Sequence, residues 1–126
     1  MMKRFKIVVL LSLFTFGAAA YAQTATDIVT EAYEDVLGRK PDAEGMREFR
    51  SKVIENDWTA EDVRNALRKS DEYADKIIQQ AFQDILGRKA DKGALETYRA
   101  RIRKGWTEKD LRKTLRNSQE YKQKNK

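Results

Sequence analysis

The sequence predicts an all-α fold: two tandem three-helix repeats plus a short C-terminal helix, forming a single domain behind a cleaved signal peptide. Three observations carry this. Apolar residues recur at helical spacing, helix-starting and helix-stopping residues punctuate them, and residues 28–73 are written a second time in residues 77–121. Composition agrees, with 40% hydrophobic and 37% charged residues and one Pro in 126, a balance that suits helices and argues against a β-sandwich or a disordered tail.

The chain contains no Cys and no His. Disulfide scaffolds, Cys/His metal sites and the triads that need either residue are thereby excluded. No cofactor is expected, and the roles that remain are mostly binding or structural.

Residues 1–22 read as a signal peptide. Lys3, Arg4 and Lys6 give a positive start, residues 7–16 are apolar apart from Ser12 and Thr15, and Ala20-Tyr21-Ala22 supplies an A-x-A cleavage site. The apolar run is shorter than the ~20 residues a membrane span needs. The expected product is a periplasmic or extracellular protein beginning at Gln23, with no membrane span in the mature chain.

Self-comparison organises the remainder into repeat 1 (24–73) and repeat 2 (74–126). Residues 28–53 align with 77–102 at an offset of 49, and 58–73 with 106–121 at 48, with 18 identities in 42 positions. A turn before Trp106 absorbs the missing residue. The first helix of each repeat gathers Ile28, Val29, Ala32, Tyr33, Val36 and Leu37, or Ile77, Ile78, Ala81, Phe82, Ile85 and Leu86, on one face. Gly38 and Gly87 suit the left-handed residue that ends a helix, and Asp42 and Asp91 suit the cap of the next. That second helix presents Met46, Phe49 and Val53, matched by Leu95, Tyr98 and Ile102. The third opens on Thr59 or Thr107 with Asp62 or Asp110 three residues on, a near capping box. Trp58 and Trp106 precede the cap, and Val63 and Leu111 sit where a hydrophobic staple needs them. Ser70 and Ser118 cap again, so the end of one repeat starts the next helix and no linker intervenes.

The stretch Tyr33-x-Asp35-Val36-Leu37-Gly38-Arg39-x-Pro41-Asp42-x-x-Gly45-Met46-x-x-Phe49, followed by Ser70-x-Glu72-Tyr73, resembles an uncharacterised bacterial domain family found in exported and surface-associated proteins. A looser likeness runs to the phycobilisome linker domain, a helical assembly module. The resemblance implies a helical fold and an exported location; it implies no chemistry. Repeat 2 departs from the pattern, with Ala90 in place of the Pro and Ala94 in place of the Gly.

Arg39 and Arg88 follow the turn glycines in both repeats. They read as turn ion pairs, Arg39 with Asp35 or Asp42 and Arg88 with Asp84 or Asp91, rather than as anion-binding prongs, because a device repeated in every unit belongs to the turn. The structural turn motif is then Gly38, Arg39, Asp42, Gly87, Arg88 and Asp91. The staple accounts for both tryptophans without a sugar ligand. No calcium loop, phosphate loop or nucleophile elbow is present.

Charge exceeds what structure requires. Residues 24–73 carry 8 Lys+Arg against 13 Asp+Glu, net −5, whereas residues 74–126 carry 15 against 7, net +8. Arg99, Arg101, Arg103, Lys104, Lys109, Arg112, Lys113 and Arg116 cluster around the turn before Trp106. They are the candidate polyanion-binding residues, for an acidic polysaccharide, lipopolysaccharide or extracellular DNA. Opposite charges on the two repeats also predict weak head-to-tail self-association, screened by salt. The expected function is an exported, non-catalytic binding or assembly module. A small secreted enzyme or enzyme inhibitor acting through surface carboxylates is the alternative.

Overall fold

The computed structural model describes residues 23–126, so the expected signal peptide lies outside the described residues. Among these, seven helices and no strand occur. They are α1 (23–37), α2 (Ala43–Glu55), α3 (Ala60–Arg68), α4 (Asp71–Leu86), α5 (Lys92–Arg103), α6 (Glu108–Arg116) and α7 (Gln119–Lys124). No described helix is long and apolar enough to cross a membrane. The chain forms two compact units, one ending at Asn65 and the other starting at Ala66, so the division falls inside α3.

In the first unit the apolar stripe of α1 is its buried face. Val29, Ala32, Tyr33, Val36 and Leu37 are buried, and Ile28 sits at the edge, half-buried. Phe49 and Val53 of α2 and Val63 of α3 complete the core. Phe49 meets Tyr33 edge-on at 6.0 Å and Trp58 at 6.2 Å, which stitches α1, α2 and the turn before α3 together.

The second unit repeats this plan with α4 at its centre, packed against α5, α6 and α7. Its core is Ala74, Ile78, Ala81, Phe82, Leu86, Ala90, Leu111 and Leu115. The ring series recurs, Phe82 with Tyr98 at 5.8 Å and Tyr98 with Trp106 at 6.5 Å. One difference was not expected. Leu95, Tyr98 and Ile102 only pack against the rim of this core, and no residue of α5 is fully buried. Arg99 and Arg103 also reach from α5 to Asp75 and Asp71 on α4.

The punctuation is where the sequence places it. Asp42 and Asp91 accept from the amides of Gly45 and Ala94 at 2.7 and 2.8 Å. Thr59 with Asp62 and Thr107 with Asp110 form reciprocal capping bonds. The Ser70 and Ser118 hydroxyls accept from Tyr73 and Tyr121. Gly38 and Gly87 adopt φ of 69° and 67°. The length difference between repeats vanishes in the second turn. The Trp58 amide donates to the Lys52 carbonyl at 3.2 Å and the Trp106 amide to the aligned Arg101 carbonyl at 3.1 Å. A left-handed residue precedes each Trp, Asp57 at φ 56° and Gly105 at φ 106°, so the extra residue of repeat 1 loops out without moving the staple.

Both departures of repeat 2 from the repeat 1 text are coupled exchanges. Gly45 is buried against Tyr33, and a Cβ there would collide with the Tyr33 hydroxyl. Repeat 2 has Ala94 with Phe82, which carries no hydroxyl, so the methyl group has room. Pro41 has no N–H, whereas the Ala90 N–H donates to Gln79 Oε1 at 2.8 Å. The residue aligned with Gln79 is Thr30, whose hydroxyl turns back to the Thr26 carbonyl at 2.9 Å. Each exchange keeps space or hydrogen bonding balanced.

Candidate functional site

The −5 and +8 charges fall on the two structural units as they do on the two repeats: residues 23–65 and 66–126 carry the same totals. Within the basic unit the eight candidate cations separate into three groups.

Arg99, Arg103 and Arg112 are tied into the fold. Arg99 makes a two-pronged bond to Asp75 at 2.5 and 2.6 Å, and Arg103 pairs with Asp71. Arg112 bonds Asp84 and Glu108, both at 3.0 Å, with only 22% of its side chain exposed. In the first unit Arg64 holds Asp35 at the aligned positions, also at 3.0 Å. Arg112 is therefore a device of the repeat, joining the third helix to the first. Asp84 is held below the usual carboxylate range by the Gln80 amide and then by Arg112.

Arg101 stands apart. Its guanidinium carbon lies 5.4 Å from the Tyr98 ring centre and 4.8 Å from that of Trp106. Among the described residues its side chain has no ion pair and no hydrogen bond. Lys104, Lys109, Lys113 and Arg116 form the third group, exposed and likewise without an ion pair among the described residues. On α6, Lys109, Lys113 and Arg116 follow one another at i, i+4 and i+7, on the face opposite the buried Leu111 and Leu115. The aligned face of α3 carries Glu61, Asn65 and Arg68.

Of the turn arginines, Arg88 pairs differently from expectation. Arg88 bonds both oxygens of Glu120 on α7 at 2.9 and 2.8 Å and lies 5.2 Å from the Phe82 ring centre. Asp84 is occupied by Arg112, and Asp91 caps α5. In the first unit Arg39 lies 5.3 Å from the Tyr33 ring centre, with Asp35 taken by Arg64 and Asp42 capping α2. In both units one expected carboxylate is held by an arginine of the third helix, and the other accepts a backbone amide through Oδ1. Glu120 is the residue missed by sequence reasoning, 32 positions from Arg88. A signal for it existed, because the aligned position, Glu72, is also Glu. Arg88, and then Lys124, hold the Glu120 carboxyl down at about 2.

A cleft of about 400 Å³ opens beside the start of α4, lined by Arg68, Lys69, Asp71, Ala74, Ile102 and Arg103 among others. Its carboxylate, Asp71, is paired with Arg103, and its hydroxyl, Ser70, is bonded as a helix cap. Among the described residues no group of carboxylates is arranged to hold a metal ion.

Fold and surface together define a small helical tandem-repeat protein whose second unit carries exposed cations without an ion pair among the described residues. The family model for a domain of unknown function, DUF4214, matches residues 15–77, and the chain belongs to that family. The match runs through repeat 1 and stops within α4, so the basic helices α5 and α6 lie beyond it. No curated protein and no solved structure matched the chain.

Proposed function

We propose that the protein is an exported, non-catalytic binding module that takes acidic polymers on the basic face of its second unit. The observation that carries this is the stripe Lys109, Lys113 and Arg116. After ion pairs have claimed Arg99, Arg103 and Arg112, these three cations and Lys104 remain exposed to solvent on neighbouring turns. Structure does not need Lys109 and Lys113 there, because α3 folds on the same plan with Glu61 and Asn65 at those positions; Arg116 has its counterpart in Arg68. Exposed cations in a row bind a polyanion by releasing its counterions, with little selectivity among polymers. Export rests on the leader-like residues 1–22, and the partners in view are acidic polysaccharide, lipopolysaccharide or extracellular DNA.

The test is a salt series of duplex-DNA or heparin binding. Reversing Lys109, Lys113 and Arg116 to Glu should lower the slope of log affinity on log salt by about 2–3, at roughly 0.9 per cation for duplex DNA. Reversing Lys40 and Arg47 on the acidic unit should change it far less. Equal retention of both variants and the parent would leave the stripe as a solubilising face only.

A further inference from the structure

The two cation–aromatic stacks occupy aligned positions, yet only one of them is electrically closed. In the first unit Lys52 lies 5.2 Å from the Phe49 ring centre and 4.8 Å from that of Trp58, and its ammonium donates to Glu48 Oε1 at 2.9 Å. In the second unit three things have changed together. Lys52 has become Arg101, Phe49 has become Tyr98, and Glu48 has become the exposed Thr97. The carboxylate that neutralises the stack is gone, and the cation is now a guanidinium with no ion pair among the described residues.

We propose that Arg101 is a preorganised receptor for the carboxylate of an acidic saccharide, the anchor of the polymer-binding face described above, on which reading this proposal rests. Two rings hold the guanidinium in place, so little side-chain freedom is lost when its N–H edge meets a ligand. A planar carboxylate matches that edge with two parallel hydrogen bonds. Trp106 and Tyr98 are half-buried, so part of each ring is left to solvent as apolar surface for the sugar that bears the carboxylate. The Thr97 hydroxyl sits one helical turn before Arg101 and Lys104 about one turn after, a neutral donor and a second cation in place of a competing acid. Arg101 gives the face a preferred point of attachment, and the α6 stripe supplies the diffuse attraction around it.

The test is calorimetric titration of the purified protein with oligogalacturonate, whose charges are all carboxylates, and with short-chain polyphosphate at matched ionic strength. Oligogalacturonate should bind the parent. Arg101→Lys, which keeps the charge and reproduces the stack of the first unit, should weaken it at least tenfold. Thr97→Glu, which restores the carboxylate seen beside Lys52, should do the same. Tryptophan fluorescence should respond to oligogalacturonate in the parent and lose that response in both variants. If both polymers bind and the two variants match the parent within twofold, the receptor is refuted while the basic face stands. Arg101-dependent binding of polyphosphate alone would overturn the carboxylate assignment. Binding of neither polymer would remove both readings.

Discussion

Replacing Gly45 by Ala should destabilise the first unit, although Gly-to-Ala changes inside helices ordinarily stabilise. The ordinary gain is about 0.5–1 kcal/mol, from the backbone entropy that Gly loses on folding. Against it stands the geometry at the start of α2. A Cβ on Gly45 would lie 3.0 Å from Tyr33 Cζ and 3.0 Å from Asp42 Oδ1, and closer still to the Tyr33 hydroxyl oxygen. Tyr33 is only 6% exposed, and its ring is fixed by Phe49 at 6.0 Å, so it has little room to withdraw. Asp42 Oδ1 is the acceptor that caps α2. Overpacking of this kind costs about 1–3 kcal/mol, and disturbing the cap adds up to ~1. The net expectation is a loss of about 1–2 kcal/mol, or roughly 4–12 °C in melting temperature for a domain of this size. Tyr33→Phe in the Gly45→Ala background reproduces the Phe82 and Ala94 combination of repeat 2 and should recover most of the loss. The assay is a double-mutant cycle by urea denaturation, followed by circular dichroism and by tryptophan fluorescence, to which Trp58 contributes from the first unit and Trp106 from the second. Additive effects of the two substitutions, or a Gly45→Ala protein as stable as its parent, would refute the claim that hydroxyl and methyl compete for one space.

Gln79→Ala should cost about 1–2 kcal/mol by stranding the Ala90 N–H, and adding Ala90→Pro, which deletes that donor, should return part of it; both are read by thermal melts. Gly87→Val should cost on the order of 1–2 kcal/mol from backbone strain alone, because φ is 67° and nothing lies within 4 Å of an added Cβ; an unchanged melting temperature would place the helix stop elsewhere. Arg88 depresses the Glu120 pKa from 4.5 to about 2, so the stability this pair contributes is present above pH 4.5 and is lost as pH falls from there towards 2. Glu120→Gln should flatten the stability profile in that window and leave it unchanged in shape near neutrality.

What could be read from the sequence was local. Caps, staples and stops depend on residues three or four apart, and Thr59, Asp62, Trp58, Ser70 and Gly87 behave as their neighbours dictate. The apolar stripes were legible for the same reason, up to edge residues such as Ile28 and Ile85. Pairings between helices were not. Arg88 meets Glu120, Arg99 meets Asp75 and Arg112 meets Asp84 across 24 to 32 residues of chain, and each acid competes with nearer candidates. The eight-residue basic cluster was therefore legible as a charge excess, while its division into bound and open cations needed the tertiary structure. Comparing the repeats would have narrowed it: Asp35 with Arg64 and Asp84 with Arg112 are identical pairs in both. An ion pair kept in both copies points to architecture, whereas Arg101 keeps the charge of Lys52 but has Thr97 where Lys52 has its Glu48 partner.

The exchange between Tyr33 with Gly45 and Phe82 with Ala94 also has a preferred route. Between the two arrangements lie two single-step intermediates, and they are not equivalent. Phe with Gly leaves a small void, tolerable at modest cost, whereas Tyr with Ala sets a methyl group against a hydroxyl. Divergence of two once-identical copies would pass through the void and not through the collision, whichever arrangement came first. The two helices are therefore not equally exchangeable between the repeats: α2 in place of α5 would set Gly beside Phe82 and leave only the void, whereas α1 in place of α4 would set Tyr against Ala94 and meet the collision.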